Sequence, residues 1–152
     1  TQALRPGQSA AFSSVSLRGI GAGQGSDHQS AESMGWNFWD GGRDGDQLAT
    51  TIPLTGSIHP ARPQALLTVC SASAGVADAD RNRAAFPDAI AEDMESYAVA
   101  AACQLAGVPL SVVRGISNVA GTRDQTRWKI DDAIDAAAAD VNAFFDSRNT
   151  DS

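Results

Sequence analysis

Three features of the chain predict an α/β fold with buried, largely parallel strands. Two compact apolar runs, Ala65 to Ser71 (ALLTVCS) and Leu110 to Ile116 (LSVVRGI), have the continuity of strands covered on both faces. Between them, Met94, Tyr97, Ala98, Ala101 (or Ala102) and Leu105 keep helical spacing. A second stripe, Ile130, Ile134, Ala137, Val141 and Phe145, marks a long amphipathic C-terminal helix. Alternating strands and helices are what a parallel layer requires.

Taken in order, residues 1–10 read as a frayed end. Phe12 to Ile20 (FSSVSLRGI) alternates like a strand at Val15 and Leu17. Gly19 to Gly25 (GIGAGQG) places glycine at every second position. A dinucleotide fingerprint needs a helix directly after its glycines, yet polar SDHQSAES follows; a phosphate loop needs Gly-Lys-Ser/Thr, and lysine is absent. These glycines therefore suggest a bulge or a close backbone approach. Residues 26–50 are polar and loop-like, with an aromatic knot at Trp36, Phe38 and Trp39 and a turn-rich stretch from Asp40 to Asp46. The tryptophans suit core or lid packing better than a stacking platform. Pro87 and Asp88 lead into a short strand at Ala89 to Ala91. Asp93 is a candidate N-cap for the helix through Leu105, Gly107 a candidate terminator, and Pro109 blocks continuation.

The 152 residues, 43% of them apolar, suit one globular domain spanning 1–152. The net charge of −7 excludes a basic nucleic-acid footprint or an acidic-membrane surface, so small molecules or proteins are the expected partners. No apolar stretch is long enough to span a membrane. Cys70 and Cys103 lie in apolar runs, which favours two reduced core thiols and a cytoplasmic setting over a disulfide. The histidines, His28 and His59, have no companions at ligand spacing, so no metal is expected. Ser71 and Ser73 follow a strand without the G-x-S-x-G elbow of a serine hydrolase.

Two constellations carry candidate chemistry. In AEDMES (Ala91 to Ser96), three acids crowd a strand-to-helix junction, where open α/β sheets gather ligands. Asp93 also has a purely structural use as a cap, and acids in a first turn favour the helix dipole. Glu95 offers two acceptor oxygens in one plane, matched to the adjacent hydroxyls of a ribose; Met94 is a soft apolar group suited to a sugar face. Asn118 ends the next strand. Its amide sets an acceptor beside a donor, the complement of the N7/O6 edge of a 6-oxopurine, although a turn or cap residue would look the same.

The string AEDMESYAVAAACQLAGVPLSVVRGISN resembles the C-terminal half of the purine nucleoside phosphorylase/nucleosidase superfamily, where Met-Glu opens a helix and VR-x-IS-(D/N) ends the next strand. RGISNVAGTRDQTRWKI, LLTVCSASAG and GAGQGSDHQSAESMGW are similar to its futalosine hydrolase subgroup. The resemblance covers about residues 15–146 and implies a three-layer α/β sandwich around a mixed, twisted sheet. It implies hydrolysis of an N-ribosidic bond, releasing hypoxanthine from futalosine in menaquinone biosynthesis. No cofactor or metal is implied, the partner is a small nucleoside, and a homo-oligomer is expected. By motif match, Glu95 would bind the ribose hydroxyls and Met94 the sugar. Asn118, beside Ser117, would hold the base and stabilise it as it leaves. Cys70, Ser71, Ala72 and Ser73 would line the base pocket through backbone.

Adenine-specific relatives carry Ser-Asp where this chain has Ser117-Asn118, which favours a 6-oxopurine here. The resemblance also implies an N-terminal portion that supplies the water-activating acid. No counterpart is found, so the chain reads as roughly the last two-thirds of such an enzyme, with Glu92 the remaining candidate to polarise water. Another purine nucleosidase or phosphorylase, or a non-catalytic nucleoside binder, remains an alternative.

Overall fold

The computed structural model describes residues 4–23, 25–36, 38 and 48–150. Trp39 and the Asp40 to Asp46 stretch lie outside the described residues. The elements run β1 (Ser9–Phe12), β2 (Ser14–Arg18), β3 (Gly21–Ala22), β4 (Gln29–Ser30), β5 (Thr51–Pro53), β6 (Ala65–Val69), α1 (Val76–Ala85), β7 (Ala89–Asp93), α2 (Ser96–Ala106), β8 (Val112–Gly115) and α3 (Ile130–Thr150).

The main sheet has the order β5-β2-β6-β7 and is mixed: β2, β6 and β7 run parallel, and β5 is antiparallel at the edge. Every residue of β6 is buried, as the unbroken run ALLTV predicts for a central strand. Neighbouring residues of β7 point to opposite faces. Asp93 meets Ser96 at the start of α2, and Glu92 meets Asn82 of α1, so the two helices cover opposite faces of the sheet. This is the expected α/β three-layer sandwich around a mixed sheet. Phe12, Val15, Ile52, Leu66, Tyr97, Ala100 and Val112 form its apolar core. Phe38 packs edge-on against Tyr97 at 6.0 Å. The Tyr97 hydroxyl donates to the Ala49 carbonyl at 2.6 Å, and burial pushes the phenol pKa upward.

Several local expectations change. The Phe12 to Ile20 run is two strands. At Ser13 the chain leaves a separate ribbon, in which β1 pairs antiparallel with β8, and enters the main sheet as β2. Ser13 is held at this corner, its amide donating to the Gln64 carbonyl at 3.0 Å and its carbonyl accepting from Leu54 at 2.9 Å. β8 is therefore not a fourth parallel strand. α2 starts one residue after Glu95, which occupies the cap position without capping the helix through its side chain. Asp93, two residues earlier, accepts from the Ser96 amide at 3.2 Å. The helix ends at Gly107, whose amide bonds back to Cys103 and Gln104.

The glycine run includes the close approach that was expected. A Cβ on Gly21 would lie 2.0 Å from the Gln29 carbonyl oxygen across the β3–β4 ribbon. Trp36 is exposed rather than packed in a core, and neither cysteine is in the core: both are free thiols, Cys70 exposed and Cys103 half-buried. α3 is long, as predicted, but its inward face is shifted. Ala133 is buried and Ala137 and Val141 of the predicted stripe are half-buried, whereas Ile130, Ile134 and Phe145 are exposed. The larger side chains of the stripe turn outward where the backbones come too close for them: a Cβ on Gly115 of β8 would sit 2.1 Å from the Ala133 carbonyl oxygen.

Leu66→Ala should therefore cost about 3 kcal/mol by urea unfolding, whereas Ile134→Ala should change stability by no more than about 0.5 kcal/mol. A comparable loss at both positions would place the α3 interface on the wrong face.

Candidate active site

A buried carboxylate organises the end of the parallel strands. Asp93 closes β7 with its side chain only 3% exposed. It accepts from the Thr68 hydroxyl at 2.7 Å, from the Ser96 amide at 3.2 Å and from the Ser96 hydroxyl. Thr68 in turn accepts from the Tyr97 amide at 2.9 Å, so the first turn of α2 is fixed to β6 and β7 together. The charge is balanced by Arg114 of β8, 3.3 Å from the carboxylate. The same guanidinium donates to Glu95 at 2.7 Å. Mid-strand Arg114 is thus an ion-paired residue, and it brings Glu95 to the end of β8. Glu95 and Met94 are exposed at the junction.

The segment after β8 folds into a tight loop. Asn118 accepts from the Ser117 hydroxyl at 2.7 Å and donates to the Val119 carbonyl at 3.1 Å and the Thr122 carbonyl at 3.5 Å. The Trp128 indole also donates to Thr122, at 3.1 Å. Asp124 starts a single 3₁₀ turn, Gln125 to Arg127, by accepting from the Thr126 amide and hydroxyl. Those two bonds, with Arg127 nearby, hold its carboxyl below the usual range. Gly121 touches the loop that follows β6: a Cβ there would lie 2.6 Å from the Gly75 carbonyl carbon, and its φ of +84° suits glycine alone.

That second loop carries the other sequence-predicted residues. The Cys70 amide bonds to the Arg18 carbonyl at 3.1 Å; Cys70 and Ser71 are exposed, Ala72 is half-buried and Ser73 is buried. Glu92 does not stand free beside Glu95. It points to the other face of β7 and accepts from the Ser73 amide at 3.1 Å, the Ser73 hydroxyl at 2.8 Å and Asn82 at 3.0 Å. Sequence reasoning missed Asn82, because α1 has no buried residue and hence no apolar stripe to reveal it. Among the described residues no group of three or more His, Cys, Asp or Glu could hold a metal, and no helix is long and apolar enough to cross a membrane. An open groove of about 370 Å³ between β5 and the α2–β8 connection, floored by Ile52, Leu54 and Ala100, contains none of the predicted site residues.

A mixed-sheet sandwich with acids at the strand ends defines the class: residues 59–147 match the phosphorylase superfamily model, and the chain belongs to that family. Over 76 residues it is 40% identical to the futalosine hydrolase of Streptomyces coelicolor, covering 50% of this chain and 32% of that protein. Over 69 residues it is 42% identical to the futalosine hydrolase of Acidothermus cellulolyticus, covering 45% and 28%. The matches thus span about a third of those relatives. Among solved structures, a 5′-methylthioadenosine/S-adenosylhomocysteine nucleosidase from Colwellia psychrerythraea in complex with adenine aligns with a TM-score of 0.67 at 18% identity. The alignment covers 91% of this chain and 58% of that one. The corresponding nucleosidase from Neisseria meningitidis, in complex with methylthio-immucillin-A, gives 0.61 at 16% identity, covering 91% and 59%. At this identity they establish the fold.

Asp93→Ala would strip acceptors from Thr68 and Ser96 inside the protein. A loss of about 3 kcal/mol is expected by urea unfolding; a loss below about 1 kcal/mol would show that the Asp93 network does not hold these elements together.

Proposed function

We propose that the protein is a nucleosidase that hydrolyses the N-ribosidic bond of a 6-oxopurine nucleoside, with futalosine as the substrate and hypoxanthine as the released base. The observation that carries the proposal is the Glu95–Arg114 contact. It sets a diol-binding carboxylate at the end of the strand whose following loop presents Asn118. The two futalosine hydrolase relatives support the choice of substrate.

Glycosidic cleavage builds positive charge on the sugar and negative charge on the departing base. Glu95 would accept from the 2′- and 3′-hydroxyls, with Met94 against the sugar. Among the described residues Asn118 accepts one of the two bonds its carbonyl oxygen can take, which leaves a lone pair for a proton on N7. Its longer bond, to Thr122, is the one to exchange for a bond to O6. A donor aimed at the developing charge is worth about 3 kcal/mol of barrier. Cys70, Ser71, Ala72 and Ser73 form the loop beside the base, and Ser117 orients Asn118. A water-polarising role for Glu92 competes with the three donors already on its carboxylate.

Hydrolysis is favoured over phosphorolysis by the two futalosine hydrolase relatives, and Arg114 is already engaged by two carboxylates. The nucleoside is the partner, no organic cofactor or metal takes part, and a homo-oligomer in the cytoplasm is the expected setting.

Base release from inosine and adenosine, followed chromatographically with and without phosphate, tests the proposal. Phosphate-independent release with a preference of about tenfold or more for inosine is expected, since a mismatched polar edge leaves buried groups unpaired; a strong adenosine preference would overturn it. Glu95→Ala removes two charge-assisted bonds of about 1.5 kcal/mol each and should lower kcat/KM about 100-fold. Asn118→Asp should shift selectivity toward 6-amino bases, and unchanged selectivity would leave Asn118 a loop residue.

A further inference from the structure

We propose that Asn82 and Glu92 form a positioning pair that fixes the 70–75 loop in the shape that receives the base, and that Glu92 works through this loop rather than on water. The loop's role at the base rests on the nucleosidase reading; the clamp itself does not.

The network is closed. Ser73 is 3% exposed. Its amide donates to one oxygen of Glu92 at 3.1 Å and its hydroxyl to the other at 2.8 Å. The Asn82 amide donates to that second oxygen at 3.0 Å and to the Ser73 hydroxyl oxygen at 3.1 Å. Three neutral donors thus satisfy a half-buried carboxylate, and among the described residues no cation pairs with it. A carboxylate with both oxygens so engaged has little acceptor capacity left for water and is a good anchor for a loop. The partners come from three separate segments: the loop, α1 and β7.

α1 contributes no buried residue, so it is not held by apolar packing. What attaches it is polar: the Asn82 bonds and the Arg18 guanidinium donating to the Arg81 carbonyl at 3.0 Å. At its near end, the Ala74 amide is bound by Asp78 at 3.0 Å. Cys70, Ser73 and Ala74 therefore have their amides spent within the protein. Those of Ser71 and Ala72 have no partner among the described residues, which leaves them to face a ligand. A clamp that uses some amides and spares others sets which part of the loop meets the base.

The test uses Asn82→Ala, Glu92→Gln and the double variant Asn82→Asp/Glu92→Gln. The double variant exchanges donor and acceptor across the pair while still leaving an oxygen for the Ser73 amide. Two quantities are measured: hypoxanthine release from inosine over a range of concentrations, and amide hydrogen exchange across residues 70–75. The expected result is that each single variant raises KM about tenfold with kcat within about threefold, and speeds exchange in the loop. The double variant should return both to near the unmodified values. Two results would overturn the proposal: a fall of about 100-fold or more in kcat for Glu92→Gln with exchange unchanged, which would put Glu92 on the reacting atoms, or unchanged KM and exchange in Asn82→Ala. If the unmodified protein releases no base from inosine, adenosine or futalosine, the nucleosidase reading fails by itself. Exchange in the single and double variants then still decides whether the clamp exists.

Discussion

A carboxylate removed from water must be paired and fully hydrogen-bonded, and Asp93 imposes that requirement on four elements at once. Its acceptors are filled from β6 by Thr68 and from the first turn of α2 by Ser96, and its charge is balanced from β8 by Arg114. None of these elements can shift without leaving a buried charge or donor unsatisfied. Arg114 is the link from structure to site. Because it lies within reach of both Asp93 and Glu95, the pairing that secures the core also fixes where the exposed carboxylate stands. The exposed half of this arrangement is weak in itself, since Glu95 is largely in water and such pairs are worth little. On the proposed reading, a ribose diol would compete with this exposed partner, while the buried half keeps the arginine in place.

The alternation of β7 divides the work of adjacent acids. Asp93 faces α2 and Glu92 faces α1, so one strand anchors a helix on each side of the sheet. The two anchors differ in kind. Asp93 is balanced by a cation and supports apolar packing of α2 around Tyr97 and Ala100. Among the described residues Glu92 has neutral donors alone, and it supports a helix with no buried residue. Removal of Asp93 should thus be felt as global stability, and removal of Glu92 as the local order of one loop.

What the sequence disclosed follows from how far each signal travels along the chain. The run ALLTV identified the central strand because burial on both faces leaves an unbroken apolar string. The Met-Glu junction and the loop after Ile116 stood out because their residue types are unusual at strand ends. β8 was legible as a strand but not as a partner of β1, since pairing across about a hundred residues leaves no local mark. The corner at Ser13 was hidden because the alternation continues through it while the partners change. α1 escaped because polar bonds hold it, and those have no period. On α3, the large apolar residues suggested the inward face, but close approach of the backbone to β8 favours alanine there. Asn82 lay in the segment where no pattern was visible, so only coordinates could join it to Ser73 and Glu92.

The two loops at the strand ends are coupled by the absence of side chains. Gly121 and Gly75 meet so closely that a methyl group on the former would overlap the backbone of the latter. The loop bearing Asn118 therefore rests on the loop that begins with Cys70, whose far end is held by Glu92 and Asn82. An amide that recognises a base edge must be placed to within a fraction of an ångström to be selective. Asn118 is held by local bonds to Ser117, Val119 and Thr122, none of which crosses to another element. Its position relative to Glu95 thus depends on the glycine contact and on the Arg114 pairing. Asn118 and Glu95, the residues proposed to meet base and sugar, are thus set by separate anchors, and their spacing is kept by the strands between them.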